Sequence, residues 1–296
     1  MRIPLSRCWL APTRLRVALL LVLGMSVSSA KAVAQAVLPG RVVFPDGGIF
    51  RPLLADPQRP QFFAKYFWTR SPRLGAQTGS VGFGRDIGFV RLPSGRWQLS
   101  LAAGVFSQFN MDSKSSDLLG VDYIVGFPIT HRRGRFSARL QLYHQSSHLG
   151  DEFILHSQAQ RVDLTYEAVE LLLSDEIANW RLYGGGEYLF NHQPRDLKPG
   201  RLHAGVEYRQ TAPLMRLGRF GDGRLVAALD GKSFQDRNWH VGWTLHTGLA
   251  FTPTSAAAPG GGGWSVLLEA YGGPAPFGQF FRENISSVGL GLAFDL

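Results

Sequence analysis

The sequence predicts an all-β protein: a single transmembrane antiparallel β-barrel of about twelve strands, preceded by an irregular N-terminal segment. Three observations predict this fold. Alternating segments of roughly ten residues recur along the chain, turns at one side are short while those at the other are long, and the chain ends on an alternating segment. Transmembrane barrel strands alternate between lipid and lumen, with short turns at one rim and longer loops at the other.

The first 34 residues have the pattern of a secretory signal peptide. Arginines precede a short apolar run at 17–27, and the small residues "AVA" at 32–34 form a cleavage site. Eleven apolar residues are too few to cross a bilayer as a helix, and no longer apolar run exists elsewhere. We therefore expect cleavage before Gln35 and export to the bacterial outer membrane.

Composition narrows the classes of function. The net charge is +9, but five of the basic residues lie in the leader, which has no acids, so the remainder carries +4 without any basic block. This argues against nucleic acid as a partner. The only cysteine, Cys8, also lies in the leader, so no disulfide and no cysteine-ligated metal is expected after cleavage.

The segments can be assigned in order. Residues 35–61 are rich in proline and lack periodicity, which predicts an extended segment touching the rim, and residues 62–296 form the barrel. In 121–130, for example, Tyr123, Val125 and Phe127 share an apolar face, and Asp122 and Gly126 oppose them. The predicted strands lie near 62–69, 79–91, 96–109, 119–131, 135–147, 160–172, 179–190, 200–211, 224–233, 238–251, 263–272 and 285–296.

The final strand and two connections complete the prediction. Gly291, Phe294 and Leu296 have the spacing of the C-terminal signal read by the barrel-assembly machinery, which is therefore an expected partner. The connections at 212–223 and 253–263 are long for the short-turn side. They are either flexible inner loops or a sign that the strand count differs by one hairpin.

Three stretches carry a resemblance to a known family. "DLLGVDYIVGFPITHRRGRFSARLQLYHQSSHLGDEFIL", "LYGGGEYLFNHQPRDLKPG" and "GQFFRENISSVGLGLAF" resemble a family of uncharacterised bacterial outer-membrane barrels, labelled a domain of unknown function. The resemblance runs from about Pro45 to the C-terminus. It implies an outer-membrane barrel and no established activity.

The stretch "YHQSSHLGDEF" at 143–153 is the most chemically suggestive. On the predicted strand 135–147, His144 and Ser146 continue the apolar face of Leu140 and Leu142, near the outer end and toward lipid. Residues i and i+2 of a strand lie about 6.8 Å apart, so an imidazole can serve the hydroxyl as a general base. The pair therefore raises a serine acyl hydrolase acting on membrane lipid as an alternative function.

A second resemblance points the same way. His144-Gln145-Ser146 is similar to the His-x-Ser element of outer membrane phospholipase A and of the lipid A deacylases, which implies Ser146 as nucleophile and His144 as base. The residue that orients the base is left open among Asp151, Glu152 and Gln160. The resemblance also makes calcium possible, with oxygen ligands from Asp112, Asp117, Asp151, Glu152 and Asp196. No other cofactor is expected.

The leading interpretation of the sequence is a passive one, a structural barrel whose rim contacts outer-membrane lipid and lipopolysaccharide. The acyl hydrolase is the first alternative, and a narrow channel for small solutes is the second. The lumen-facing Arg139, Arg181, Glu187, Arg201 and Glu207 are expected to form a salt-bridged interior in preference to a substrate path.

Overall fold

The computed structural model describes residues 40–71, 73–159, 161–253 and 262–295. The predicted signal peptide, Gln160 and Leu296 lie outside these ranges. In the described part of the chain, no helix is long and apolar enough to cross a membrane.

Twelve long antiparallel strands form a closed barrel, which confirms the predicted fold class. Each long strand pairs with the next, and the last pairs with the first. The strands are β1 Val42–Val43, β2 Phe62–Arg70, β3 Gln77–Arg91, β4 Trp97–Asn110, β5 Leu118–Arg133, β6 Phe136–Leu149, β7 Leu164–Ile177, β8 Trp180–Gln193, β9 Gly200–Arg209, β10 Met215–Arg216, β11 Asp222–Phe234, β12 His240–Thr252, β13 Gly263–Pro274 and β14 Asn284–Asp295. The two-residue strands β1 and β10 pair with β3 and β11 and lie outside the ring of twelve.

Alternation along each strand sets the two faces of the wall. On β5, Tyr123, Val125, Phe127 and Ile129 are 42–50% exposed, whereas Asp122 before them and Thr130 after them are buried. An outward face made of large apolar side chains is suited to lipid and would be unfavourable in water. The wall therefore presents an apolar belt outward and polar groups inward.

Element bounds follow the prediction within a few residues, and β7 departs most. It spans Leu164–Ile177 where 160–172 was predicted, because the preceding residues form a short helix, α1, at Asp151–Ser157. Phe153 is the buried residue of that helix, and its ring packs against Phe280 with centroids 5.5 Å apart. The helix is thus held by the outer loop 275–283.

The proline-rich N-terminal segment lies inside the barrel, which corrects the expectation that it touches the rim. We call residues 44–61 the inner plug. Leu53 and Ala55 are buried, and the Leu54 backbone bridges the lumen: its N–H donates to Glu207 Oε1 at 2.7 Å and its carbonyl accepts from His246 Nδ1 at 2.8 Å. Side chains of the wall supply the partners because an extended, proline-rich segment offers few backbone donors of its own.

The five lumen residues named above all face inward and are paired. Arg201 Nη1 lies 2.8 Å from Glu187 Oε1, and Arg139 Nη2 lies 2.7 Å from Glu170 Oε2. Arg181 and Glu207 are fully buried, with Nη1 and Oε2 3.6 Å apart. Arg181 also donates to the carbonyl of Arg51 in the inner plug at 2.7 Å. The interior is a packed ionic network joined to the plug.

The two ends of the barrel differ. At the long-loop end, loop 275–283 folds into the mouth: Phe280 is 1% exposed, and the Gly278 N–H donates to Asp122 Oδ2 at 2.9 Å. At the short-turn end, the long connection after β9 contains β10, and its Phe220 carbonyl accepts from Trp264 Nε1 at 2.9 Å. That connection extends the sheet and does not add a missed hairpin to the barrel.

Candidate active site

A hydrogen-bonded pair lies on the outer wall where β6 meets β7. His144 and Glu167 are directly opposed across these strands, and His144 Nδ1 lies 2.8 Å from Glu167 Oε1. Their side chains are 41% and 36% exposed on the face that carries the apolar belt. Two strands in register therefore place a carboxylate against the ring nitrogen of a histidine.

A β-bulge adds a third residue, Asn191, to this pair. We call His144, Glu167 and Asn191 the hydrogen-bonded row. Glu167 pairs with Asn191 on β8 and Ala168 pairs with Leu189, so Phe190 has no direct partner on β7. The consecutive residues Phe190 and Asn191 are consequently both exposed on the outer wall. Asn191 Nδ2 donates to Glu167 Oε2 at 2.6 Å. A bulge re-aims a side chain in this way, and bulges occur often beside active sites.

Ser146 lies two residues beyond His144 on the same face of β6. It is half-buried and is opposed by Tyr123 on β5 and Thr165 on β7. Among the described residues, the Ser146 hydroxyl has no hydrogen-bond partner. In unliganded enzymes the nucleophile and its base are often too far apart or poorly aligned for a hydrogen bond, and they come together when substrate binds.

The row supports general-base chemistry. A carboxylate on Nδ1 fixes the histidine as the tautomer that keeps its proton on Nδ1, which leaves Nε2 free to accept a proton. Glu167 is in turn fixed by Asn191, so the order of support runs from Asn191 through Glu167 to His144. Ser146 carries a hydroxyl on the same face of β6, two residues from His144.

The site lies at the upper edge of the apolar belt. Toward the short-turn end, Leu142 and Val169 are 52% and 37% exposed on the same wall. Toward the long-loop end, the His148 ring packs edge-on against Tyr123 with centroids 5.9 Å apart. Polar groups therefore begin where the hydrocarbon-like surface ends, which is the level of an interface between lipid tails and head groups.

The predicted orienting residues occupy other places. Asp151 and Glu152 are exposed on α1, and Asp151 Oδ1 pairs with Arg161 Nη2 at 2.6 Å. Gln160 lies outside the described residues. The residue bonded to His144 is Glu167, which the sequence analysis did not name, because identifying it required the register of β7 on β6.

The acidic loop residues do not assemble a calcium site among the described residues. No group of three or more metal-binding side chains of the His, Cys, Asp or Glu type is found there. Asp112 accepts from the Ala76 and Gln77 N–H groups, and Asp117 accepts from His156. Asp196 pairs with Arg282. These carboxylates hold loops together, and no step of chemistry is assigned to calcium.

Comparisons with known proteins agree on the fold. A protein-family model described as "Protein of unknown function (DUF1207)" matches residues 24–296. No curated protein matches the sequence. Among solved structures, outer membrane phospholipase A from Escherichia coli is 14% identical, with a TM-score of 0.55 over 83% of this chain and 93% of that chain. The calcium-bound dimer of the Salmonella typhi outer membrane phospholipase is 12% identical, with a TM-score of 0.55 over 84% of this chain and 94% of that chain.

Proposed function

The chain belongs to this family of unknown function (DUF1207), and we propose that it is a serine acyl ester hydrolase of the bacterial outer membrane that acts on membrane lipid. One observation carries the proposal: His144, Glu167 and Asn191 form a hydrogen-bonded row on the outer wall, on the same face as Ser146. A nucleophile, its base and a residue that orients the base are the minimum set for this chemistry.

The proposed reaction uses these residues in turn. Ser146 Oγ attacks the ester carbonyl carbon while His144 Nε2 takes the hydroxyl proton. The protonated imidazole is stabilised by Glu167 and gives its proton to the departing alcohol, which leaves an acyl group on Ser146. Water, deprotonated by His144, then attacks the acyl group, and the fatty acid leaves as Ser146 regains its proton.

The place of the site supports a lipid substrate. A carboxylate on the lipid-facing wall is unfavourable at the bilayer midplane and becomes tolerable near the interface. The ester groups of membrane lipids lie at that interface, so a site on the outer wall receives substrate from the membrane without an aqueous path. The likeness of the fold to phospholipase A names phospholipid as the first class to test, with lipopolysaccharide second. The predicted signal peptide supports export to the outer membrane.

The passive alternatives are less well supported. In the described part of the chain, the inner plug and loop 275–283 occupy the lumen, which argues against an open channel. A structural barrel that only contacts lipid needs neither the Glu167–His144 bond nor the bulge that presents Asn191. The hydrolase accounts for both features.

The test is release of fatty acid from labelled phospholipid or lipopolysaccharide in detergent, with and without calcium. Ser146→Ala is expected to lower the rate by about 10³-fold or more, the usual loss when a serine nucleophile is removed. Ser107→Ala is the matched control, because Ser107 is half-buried on the outer wall of β4, away from the row. Equal release by wild type and Ser146→Ala would refute the proposal.

A further inference from the structure

A lateral crevice opens in the barrel wall beside β3. This strand pairs with β2 only from Gln77 to Gly82, and with β1 only at Val90 and Arg91. On that edge, residues 83–88 have no strand partner among the described residues. The inner plug passes behind them so closely that a Cβ on Gly84 would lie 2.9 Å from Pro60 Cα. Between the plug and the wall lies a cavity of about 530 Å³.

Five arginines line this cavity, and four of them have a buried nitrogen without a hydrogen-bond partner. Arg51 and Arg59 come from the inner plug, Arg139 from β6 and Arg209 from β9. Each pairs with a carboxylate through a terminal nitrogen, yet the buried Nε of each has no hydrogen-bond partner among the described residues. A buried donor left unpaired costs about 1–3 kcal/mol. Guanidinium groups gathered around one cavity suit the oxygens of a carboxylate or phosphate, which arginine binds through charge-assisted hydrogen bonds.

Carboxylates and apolar side chains form most of the rest of the cavity lining. The carboxylates limit the negative charge that a ligand can carry. Of these carboxylates, Asp56 is paired with Lys232 and Asp295 with Arg59. A lining so nearly balanced accommodates one negative charge better than several. Phe50, Leu53 and Phe294 supply apolar surface beside the arginines. The cavity is within the range of about 300–1,000 Å³ typical of small-molecule sites.

The outer face of β3 beside the crevice carries two large apolar side chains and one arginine. Phe83, Arg85 and Ile87 alternate on the outer face of β3 and are exposed. An arginine in the apolar belt is costly, by about 2–4 kcal/mol at the midplane. Arg85 lies at the edge of the crevice. An anionic head group that moves from lipid toward the lumen would pass its side chain.

We propose that the crevice binds an amphiphile with a single anionic head, a carboxylate or a phosphate diester, taken laterally from the membrane. The head lies against the four arginines, and the hydrocarbon chain lies along Phe50 and Leu53. This site is on the lumen side of β3, separate from Ser146 on the outer wall of β6, and it does not depend on the proposed hydrolysis.

The test is binding of palmitate to the full chain purified in an uncharged detergent, measured by titration calorimetry. We expect one palmitate per protein, and Arg59→Gln and Arg209→Gln each to weaken binding about tenfold or more, because each removes a charge-assisted hydrogen bond. Arg135→Gln is the control, because Arg135 pairs with Asp175 outside the cavity. Binding equal in all variants, or no binding, would overturn the proposal.

Two further arms separate the sources of the anion and guard against misfolded variants. Inorganic phosphate is expected to bind far more weakly than palmitate, and equal affinity would show a site for free anions in place of an amphiphile site. A photoreactive palmitate needs no variant: it is expected to label peptides of β3 or the inner plug, and label confined to the outer belt would contradict the site. Ser146→Ala is expected to bind palmitate as wild type does.

Discussion

At the scale of single residues, the proposed chemistry depends on Glu167. Its carboxylate is the hydrogen-bond partner of His144 Nδ1, and a carboxamide there would hold the imidazole in the wrong tautomer. Glu167→Gln is therefore expected to lower the rate of ester hydrolysis by about 10²–10⁴-fold with little change in lipid binding. Kinetics on labelled phospholipid measure it, with the exposed Glu152→Gln as control. A rate for Glu167→Gln within twofold of the Glu152→Gln rate would remove Glu167 from the mechanism.

Asn191 is a positioning residue one step further out. Asn191→Ala removes the donor to Glu167 Oε2 and is expected to lower the rate about tenfold, because one charge-assisted hydrogen bond is lost. The separate effects on kcat and KM are the informative readout, since a loss of positioning lowers kcat and leaves KM nearly unchanged. An unchanged kcat would show that the bulge serves the wall alone.

The sequence was sufficient to name two of the four proposed residues, His144 and Ser146. Alternation along β6 fixes which face His144 and Ser146 share, because side chains of a strand repeat every two residues. Glu167 could not be found that way, since its meeting with His144 depends on the register of β7, which α1 shifts. Asn191 was harder still, because a bulge breaks the alternation that would have placed it inside.

At the scale of elements, α1 is tied to the loop before β5 by a pH-sensitive contact. Donation from Ser115, only partly opposed by burial, lowers the pKa of Asp117, and the hydrogen bond from His156 in α1 lowers it further. A lowered carboxylate pKa stabilises the contact above the ordinary aspartate value of about 3.9, and that contribution is lost as pH falls through the lowered value.

Hydrogen exchange should report this loss. Amides of α1 are expected to exchange faster relative to the barrel strands below about pH 3.9 than at neutral pH. Asp117→Asn is expected to show faster exchange of α1 at neutral pH and little further change on acidification. Asp151→Asn, on the exposed face of the same helix, is the control. Equal pH dependence in wild type and Asp117→Asn would contradict the assignment.

The inner plug is held by an ion pair whose loss has a large expected effect. Lys232 Nζ lies 3.0 Å from Asp56 Oδ1, and the two side chains are only 14% and 9% exposed. Asp56→Ala leaves an unpaired ammonium group inside the barrel and is expected to destabilise the protein by about 3–5 kcal/mol. Thermal unfolding measures it, with exposed Asp46→Ala as control. A melting temperature matching that of Asp46→Ala would show that the plug is held by other contacts.

At the scale of the whole molecule, the wall was predictable and its contents were not. Twelve alternating segments gave the barrel because the outer face must be apolar along every strand. The inner plug has no periodicity to read, and its position depends on partners far along the chain, such as Glu207 for the Leu54 N–H. Only the assembled wall brings those partners around one short segment.

The position of the plug in the chain has a consequence for assembly. The plug precedes β2, whereas its partners Glu207, Lys232 and His246 lie on strands β9, β11 and β12, and the ring closes only when β14 reaches β2. Contacts so distant in sequence form late and slowly. The twelve long strands therefore close around a segment that precedes all of them in the sequence. A wall completed without the plug would leave Lys232 without Asp56 and the buried Glu207 without the Leu54 N–H.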